Sequence, residues 1–247
     1  MWWLLLLACA DVASGDLPPS ADTATLDTGA TWVQAEVQLT SVRYVLDIDW
    51  SGAEWVDDAY VFTTDLGYVV GLQQAMLTTS TIELVPCDEL DSTWRLDPSY
   101  LAHASHEHDA SQVIVDRGID LLGPTSVELG TASTGDSPYC QAYELLSIAS
   151  DSFEVVRLRG WYHRAHEAST PFEVVSSVPA TSLRPLVVLD GDPPSGDATV
   201  RLTRFPARSL DGIDLETVAD IDLAFDASVQ LSQHTRVSVP SSASTTP

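Results

Sequence analysis

The chain has 247 residues, 45% of them hydrophobic, with 36 Asp+Glu against 11 Lys+Arg and a formal net charge of −25. That length allows one sizeable domain or two small ones with a real core. The charge excludes nucleic acid as a partner, because a phosphate backbone needs a basic surface, and it makes an anionic bilayer surface repulsive.

Met1-Trp2-Trp3-Leu4-Leu5-Leu6-Leu7-Ala8 is an unbroken apolar run directly in front of Cys9. It is too short to span about 30 Å of hydrocarbon, which takes roughly 20 residues, but it has the length of a secretory h-region. The run from Trp2 to Leu7 has neither helical nor strand periodicity, which argues against an element packed into the protein's own core. Leu6-Leu7-Ala8-Cys9 resembles the cleavage site of bacterial lipoprotein signals, in which the cysteine after a small residue is acylated and becomes the mature N-terminus. The resemblance implies a signal peptide over 1–8, lipidation of Cys9, and a cell-envelope location, periplasmic or at the cell surface, with the membrane held through acyl chains. No Lys or Arg precedes the run, which departs from the lipoprotein pattern and predicts a translation start upstream of Met1.

Residues 9–30 are small, polar and acidic, are broken by Pro18-Pro19, and read as a lipidated tether that cannot bury enough surface to offset chain entropy. From Trp32 the pattern becomes period two, with Val33, Ala35, Val37 and Leu39 apolar. The apolar phase then slips to Val42, Tyr44, Leu46 and Ile48, which predicts a bulge or bend. Strand, turn and strand follow over 60–64, 65–67 and 68–72, with a further β-branched segment over 78–85. Later strands are expected at 112–115, 126–129, 153–163, 172–176, 186–189 and 199–205. Residues 139–148 are ambiguous between strand and helix, while Leu215, Val218, Ile221, Phe225 and Val229 predict a helix over 214–231. Short punctuated strands favour an antiparallel β-sandwich or barrel-like domain over 31–238 with a C-terminal helix, followed by a disordered tail over 239–247.

With Cys9 taken by lipid, Cys87 and Cys140 remain, and two leftover thiols in an exported chain are expected to form a disulfide. A blue-copper use of Cys140 is rejected, since no His is near it and Met76 is the only Met besides Met1. The sharpest chemical signal is His103-Ala104-Ser105-His106-Glu107-His108, three imidazoles in six positions. On a loop they can converge on Zn or Cu, with His163 and His166 as a second pair able to join them. Glu107 then orients a ligand or acts as base on a metal-bound water.

Three readings stay open: a metal- or ligand-binding module, a structural or partner-binding surface module in which the histidines do nothing, and a metal-dependent hydrolase. Nucleophile elbows, Walker loops, dinucleotide fingerprints and zinc-protease motifs are all missing from the sequence, so an enzyme is the weaker expectation. The acidic clusters Asp47/Asp49, Asp57-Asp58, Asp190/Asp192/Asp197 and Asp211/Asp214 fit no EF-hand loop. Trp50, Trp55, Trp94 and Trp161 read as core residues in preference to the lining of a cleft.

Overall fold

A computed structural model describes residues 32–34, 36–89, 110–150, 153–165, 167–189, 192–218 and 220–241. In chain order the elements are β1 (Trp32–Gln34), β2 (Gln38–Ile48), β3 (Glu54–Val56), β4 (Ala59–Thr63), β5 (Val69–Pro86), β6 (Val113–Asp120), β7 (Ser126–Ser133), β8 (Tyr139–Leu146), β9 (Val156–His163), β10 (Thr170–Ser176), β11 (Ala180–Leu189), β12 (Ser195–Arg204), α1 (Asp220–Gln233) and β13 (Arg236–Pro240). The protein is mainly β with one C-terminal helix.

The phase slip near residue 40 is a bulge. Gly196 of β12 pairs with Leu39 and Asp197 with Ser41, so Thr40 is the extra residue on β2. Asp197 fixes it by accepting hydrogen bonds from the hydroxyls of Thr40 (2.9 Å) and Ser41 (2.7 Å). Beyond the bulge, Val42, Tyr44, Leu46 and Ile48 are all buried.

The segments expected at 68–72 and 78–85 are one strand. β5 runs unbroken through both, with one-residue irregularities at Gln73 and Ser80. Its first half lies between β4 and β9, and its second half between β6 and β8. Bulges bend a strand, and that is how a single element serves two parts of the sheet. The path continues β8-β11-β13-β12-β2-β7, and β7 returns to β6, where Val113 packs against Gly130 and the Arg117 guanidinium donates to the Glu128 carbonyl. Eight strands thus curl into a barrel-like shell, while β9 and β10 extend as a wing on which α1 packs.

The sheet is mixed where an antiparallel one was expected. β2 runs parallel to β12, and β13 runs parallel to β11 while lying antiparallel to β12. The chain reverses between β12 and β13, so the last strand enters between β11 and β12 antiparallel to β12 and in the direction of β11. β13 also takes in residues read as tail, since Val239 is fully buried and Ser241 nearly so.

The ambiguous 139–148 segment is strand β8, paired on both edges. Its buried residues Tyr139, Ala142 and Leu146 have helix-like spacing, which explains the ambiguity. The predicted helix begins six residues late. Asp214 instead closes a turn, accepting from the Glu216 amide through its carboxylate and from the Val218 amide through its carbonyl. The helix buries Leu223, Ala224, Ala227 and Leu231, so Phe225 of the expected stripe is 38% exposed.

One charged pair sits inside the shell. Arg204 shares the inner face of β12 with Val200 and Leu202, and Glu144 shares that of β8 with Ala142 and Leu146; all are buried. The Arg204 Nη2 donates to Glu144 Oε1, which also accepts from Thr79 Oγ1 at 3.1 Å, while Arg204 Nη1 donates to Thr235 Oγ1 at 3.1 Å. Breaking such a pair leaves one charge stranded in a dry interior, at a cost of about 3–5 kcal/mol. Glu144→Gln or Arg204→Met is therefore expected to lower the unfolding free energy by about that much in urea denaturation, and the double change Glu144→Leu/Arg204→Met by far less.

Basic groups gather where α1 ends. Its last turn has no basic residue of its own, and Arg184 of β11 donates Nε and Nη2 to the Ser232 carbonyl at 3.2 and 2.9 Å. A helix C-terminus ordinarily raises a histidine's pKa, yet burial, and after it the charge of Arg208, hold His234 below its ordinary 6.5. Its neutral form is the one the fold favours, so this contribution is present above pH 6.5 and is lost as pH falls below that value. An NMR titration is expected to place His234 under 6.5, with Arg208→Gln moving it upward.

Candidate functional site

His103, His106, His108 and His166 lie outside the described residues. The ends of the segment that carries the first three are described, and both are tied down. On the leading side β5 passes into a 3-10 turn, Cys87–Glu89, and Cys87 is bonded to Cys140 of β8 with a Cα–Cα distance of 5.0 Å. The Cys87 amide also donates to the Pro138 carbonyl at 2.9 Å. On the returning side Ser111 is fully buried, its Oγ accepting from the Leu84 amide at 3.0 Å and its carbonyl accepting from the Tyr44 hydroxyl at 2.9 Å. The leading end is thus covalently fixed to β8, and the returning end is hydrogen-bonded to β5 and β2.

His163 ends β9, as its place at a strand exit suggested. Its Nδ1 is 2.9 Å from the Arg164 carbonyl oxygen. A carbonyl can only accept, so Nδ1 carries the proton and the neutral ring keeps its lone pair on Nε2, the nitrogen a metal would use. The ring stacks on Trp161 with centroids 5.7 Å apart. Trp161 in turn lies over Gly71 of β5, where a Cβ would collide with the indole ring. Among the described residues no group of three or more His, Cys, Asp or Glu is arranged to hold a metal ion.

A polar node around Tyr68 gave no signal in the sequence. The buried Tyr68 hydroxyl donates to Asp214 and accepts from Arg164 Nη2 at 2.8 Å; the Arg164 guanidinium carbon lies 4.6 Å from the ring centroid and its Nε 3.7 Å from Glu216. Burial, and then the bond to Asp214, raise the Tyr68 pKa, whereas the Tyr68 and Thr217 hydroxyls lower that of Asp214. A phenol that holds its proton this firmly is no nucleophile or base at neutral pH. Nearby, Asp65 accepts from the Gly212 amide at 2.7 Å and Asp211 from the Asp65 amide at 3.2 Å. Together these contacts latch the 211–218 turns onto the β4–β5 hairpin. Their residues are 146 or more apart along the chain or belong to different elements, so no local pattern announces them.

The tryptophans divide. Trp50 and Trp161 are half-buried, Trp94 lies outside the described residues, and Trp55 departs from the core expectation with 54% exposure. Comparison of the chain with protein-family models, with curated proteins and with solved structures gives no match.

The bridge closes a loop of 53 residues, for which the chain-entropy model gives roughly 4 kcal/mol of stabilisation. Reduction is accordingly expected to lower the unfolding free energy by about 4 kcal/mol in denaturant titration, and thiol labelling of the denatured, unreduced protein to leave Cys87 and Cys140 unmodified.

Proposed function

We propose that the chain is a cell-envelope lipoprotein whose extracytoplasmic β domain binds a transition metal, Zn or Cu, through His103, His106 and His108, with His163 and His166 able to complete the set. What carries this reading is the doubly tied root. A segment fixed at Cys87 and at Ser111 has less conformational freedom to lose when three imidazoles gather around one ion. The disulfide also supports an oxidising compartment outside the cytoplasm. Acylated Cys9 supplies the anchor, and the residues that follow supply the reach between membrane and domain.

Imidazole binds metal through a neutral nitrogen, so uptake should weaken as pH falls through the ordinary histidine value of about 6.5. Glu107 can accept a ring proton from a neighbouring ligand and hold that ring in its binding tautomer. Titration with Zn(II) and Cu(II) is expected to show stoichiometric uptake by the wild type and none by His103→Ala/His106→Ala/His108→Ala; equal uptake by both overturns the metal reading. Mass spectrometry of the membrane fraction should find an acylated Cys9 peptide, and an unmodified N-terminus in the soluble fraction overturns the anchor.

A further inference from the structure

The hairpin of β3 and β4 presents an aromatic face that the fold does not cover. Its turn is Asp57-Asp58, both left-handed at φ 49° and 59°, joining Val56 directly to its partner Ala59. A two-residue turn with both residues left-handed matches the right-handed twist of the strands it connects. Within the hairpin Tyr60 is packed from one side by Trp50, with parallel rings 4.0 Å apart, and meets Trp55 edge-on at 4.8 Å. Trp50 is held in place by its Nε1 donating to the Leu121 carbonyl at 2.9 Å. Behind this stack Trp55 is 54% exposed and Val56 44%. A large ring kept rigid by half-buried aromatic neighbours and left in solvent is a ready contact surface.

Two further observations decide what the surface fits. Among the described residues β3 pairs only with β4, so its other edge has backbone groups able to take an added strand. The carboxylates of the hairpin, Glu54, Asp57 and Asp58, are exposed, and none joins the ion pairs seen in the described residues. A second copy of this chain would bring the same charges against them, and at a net −25 the long-range repulsion is strong as well. We infer that the β3–β4 hairpin is a docking site for an extended, Arg- or Lys-rich segment of a partner protein. The segment adds alongside β3, lays a cationic side chain on Trp55 and neutralises the turn carboxylates. A cation over an indole face is favourable even at an exposed site, and nearby carboxylates add to it without competing for the ring. This site shares no residue with the histidine reading, so either can fail alone.

The test is calorimetric titration of the full chain with a 12-residue Arg-rich peptide at low and at physiological salt. Trp55→Ala, and separately Glu54→Gln/Asp57→Asn/Asp58→Asn, are each expected to weaken binding roughly tenfold. Asn tolerates the left-handed turn, so the second variant removes charge and keeps the hairpin. A control of equal charge, Glu128→Gln/Asp136→Asn/Asp192→Asn, removes three exposed carboxylates elsewhere and should bind within about twofold of wild type. Equal weakening by the control reduces the interaction to bulk charge and overturns the site. So does Trp55-dependent binding of a neutral peptide or an uncharged oligosaccharide with no effect of the charge variant.

Discussion

The contact between Arg204 and Glu144 sets the terms for everything around it. Between β8 and β12 the sheet order places β11 and β13, so the pair reaches across the interior of the shell and does not run along its wall. A charge in that interior left without its partner costs about 3–5 kcal/mol, so the two walls are held in the register that brings Arg204 and Glu144 together. Thr79 from β5 and Thr235, just past the helix, join the same two groups, so four parts of the chain converge on one point. Hydrophobic contacts tolerate sliding, but a hydrogen-bonded guanidinium does not. The apolar residues drive collapse, and this pair restricts which collapsed arrangement survives.

The same economy runs through the acidic residues. Among the described residues most carboxylates are exposed, and several that cluster in the sequence prove to have local mechanical tasks. Asp197 holds the β2 bulge, Asp57 and Asp58 turn a hairpin, and Asp211 and Asp214 fasten the turns ahead of α1. The Ser41 and then the Thr40 hydroxyl, and in the other case those of Tyr68 and Thr217, hold Asp197 and Asp214 below the usual carboxylate range. Backbone amides and hydroxyls supply the Asp197, Asp65, Asp211 and Asp214 carboxylates with hydrogen-bond donors while leaving their charge in place.

How much of this was legible in the sequence follows from the range over which each signal acts. The period-two runs and their turns are local, and strands were expected within or across nearly every one later found, including the phase slip that became the Thr40 bulge. Strand β3, and with it the β3–β4 pairing, was missed because it is three residues long and exposed throughout, whereas β4 lies within a residue of the strand expected over 60–64. The length of β5 was missed because a strand that bends at Gln73 and Ser80 reads as two. Helix α1 was placed too early because Leu215 keeps helical spacing while it is buried in a turn held by Asp214. Parallel pairing, the Tyr68 node and the Arg204–Glu144 contact join residues far apart in sequence, where no periodicity can record them. Of the site residues, the cysteine pairing was readable by counting, His163 fell at a strand exit as expected, and the exposure of Trp55 was not foreseen.

The position of β13 has a consequence for the order of assembly. It occupies the slot between β11 and β12, so those two strands are separated by a gap one strand wide until residues 236–240 have been synthesised. Before that, the shell has two raw edges facing each other, the Arg204 guanidinium lacks the Thr235 hydroxyl, and α1 has nowhere to deliver the chain. A domain whose central slot is filled by its last strand cannot close until every other strand has been made, so its folding is one late event and not a stepwise addition.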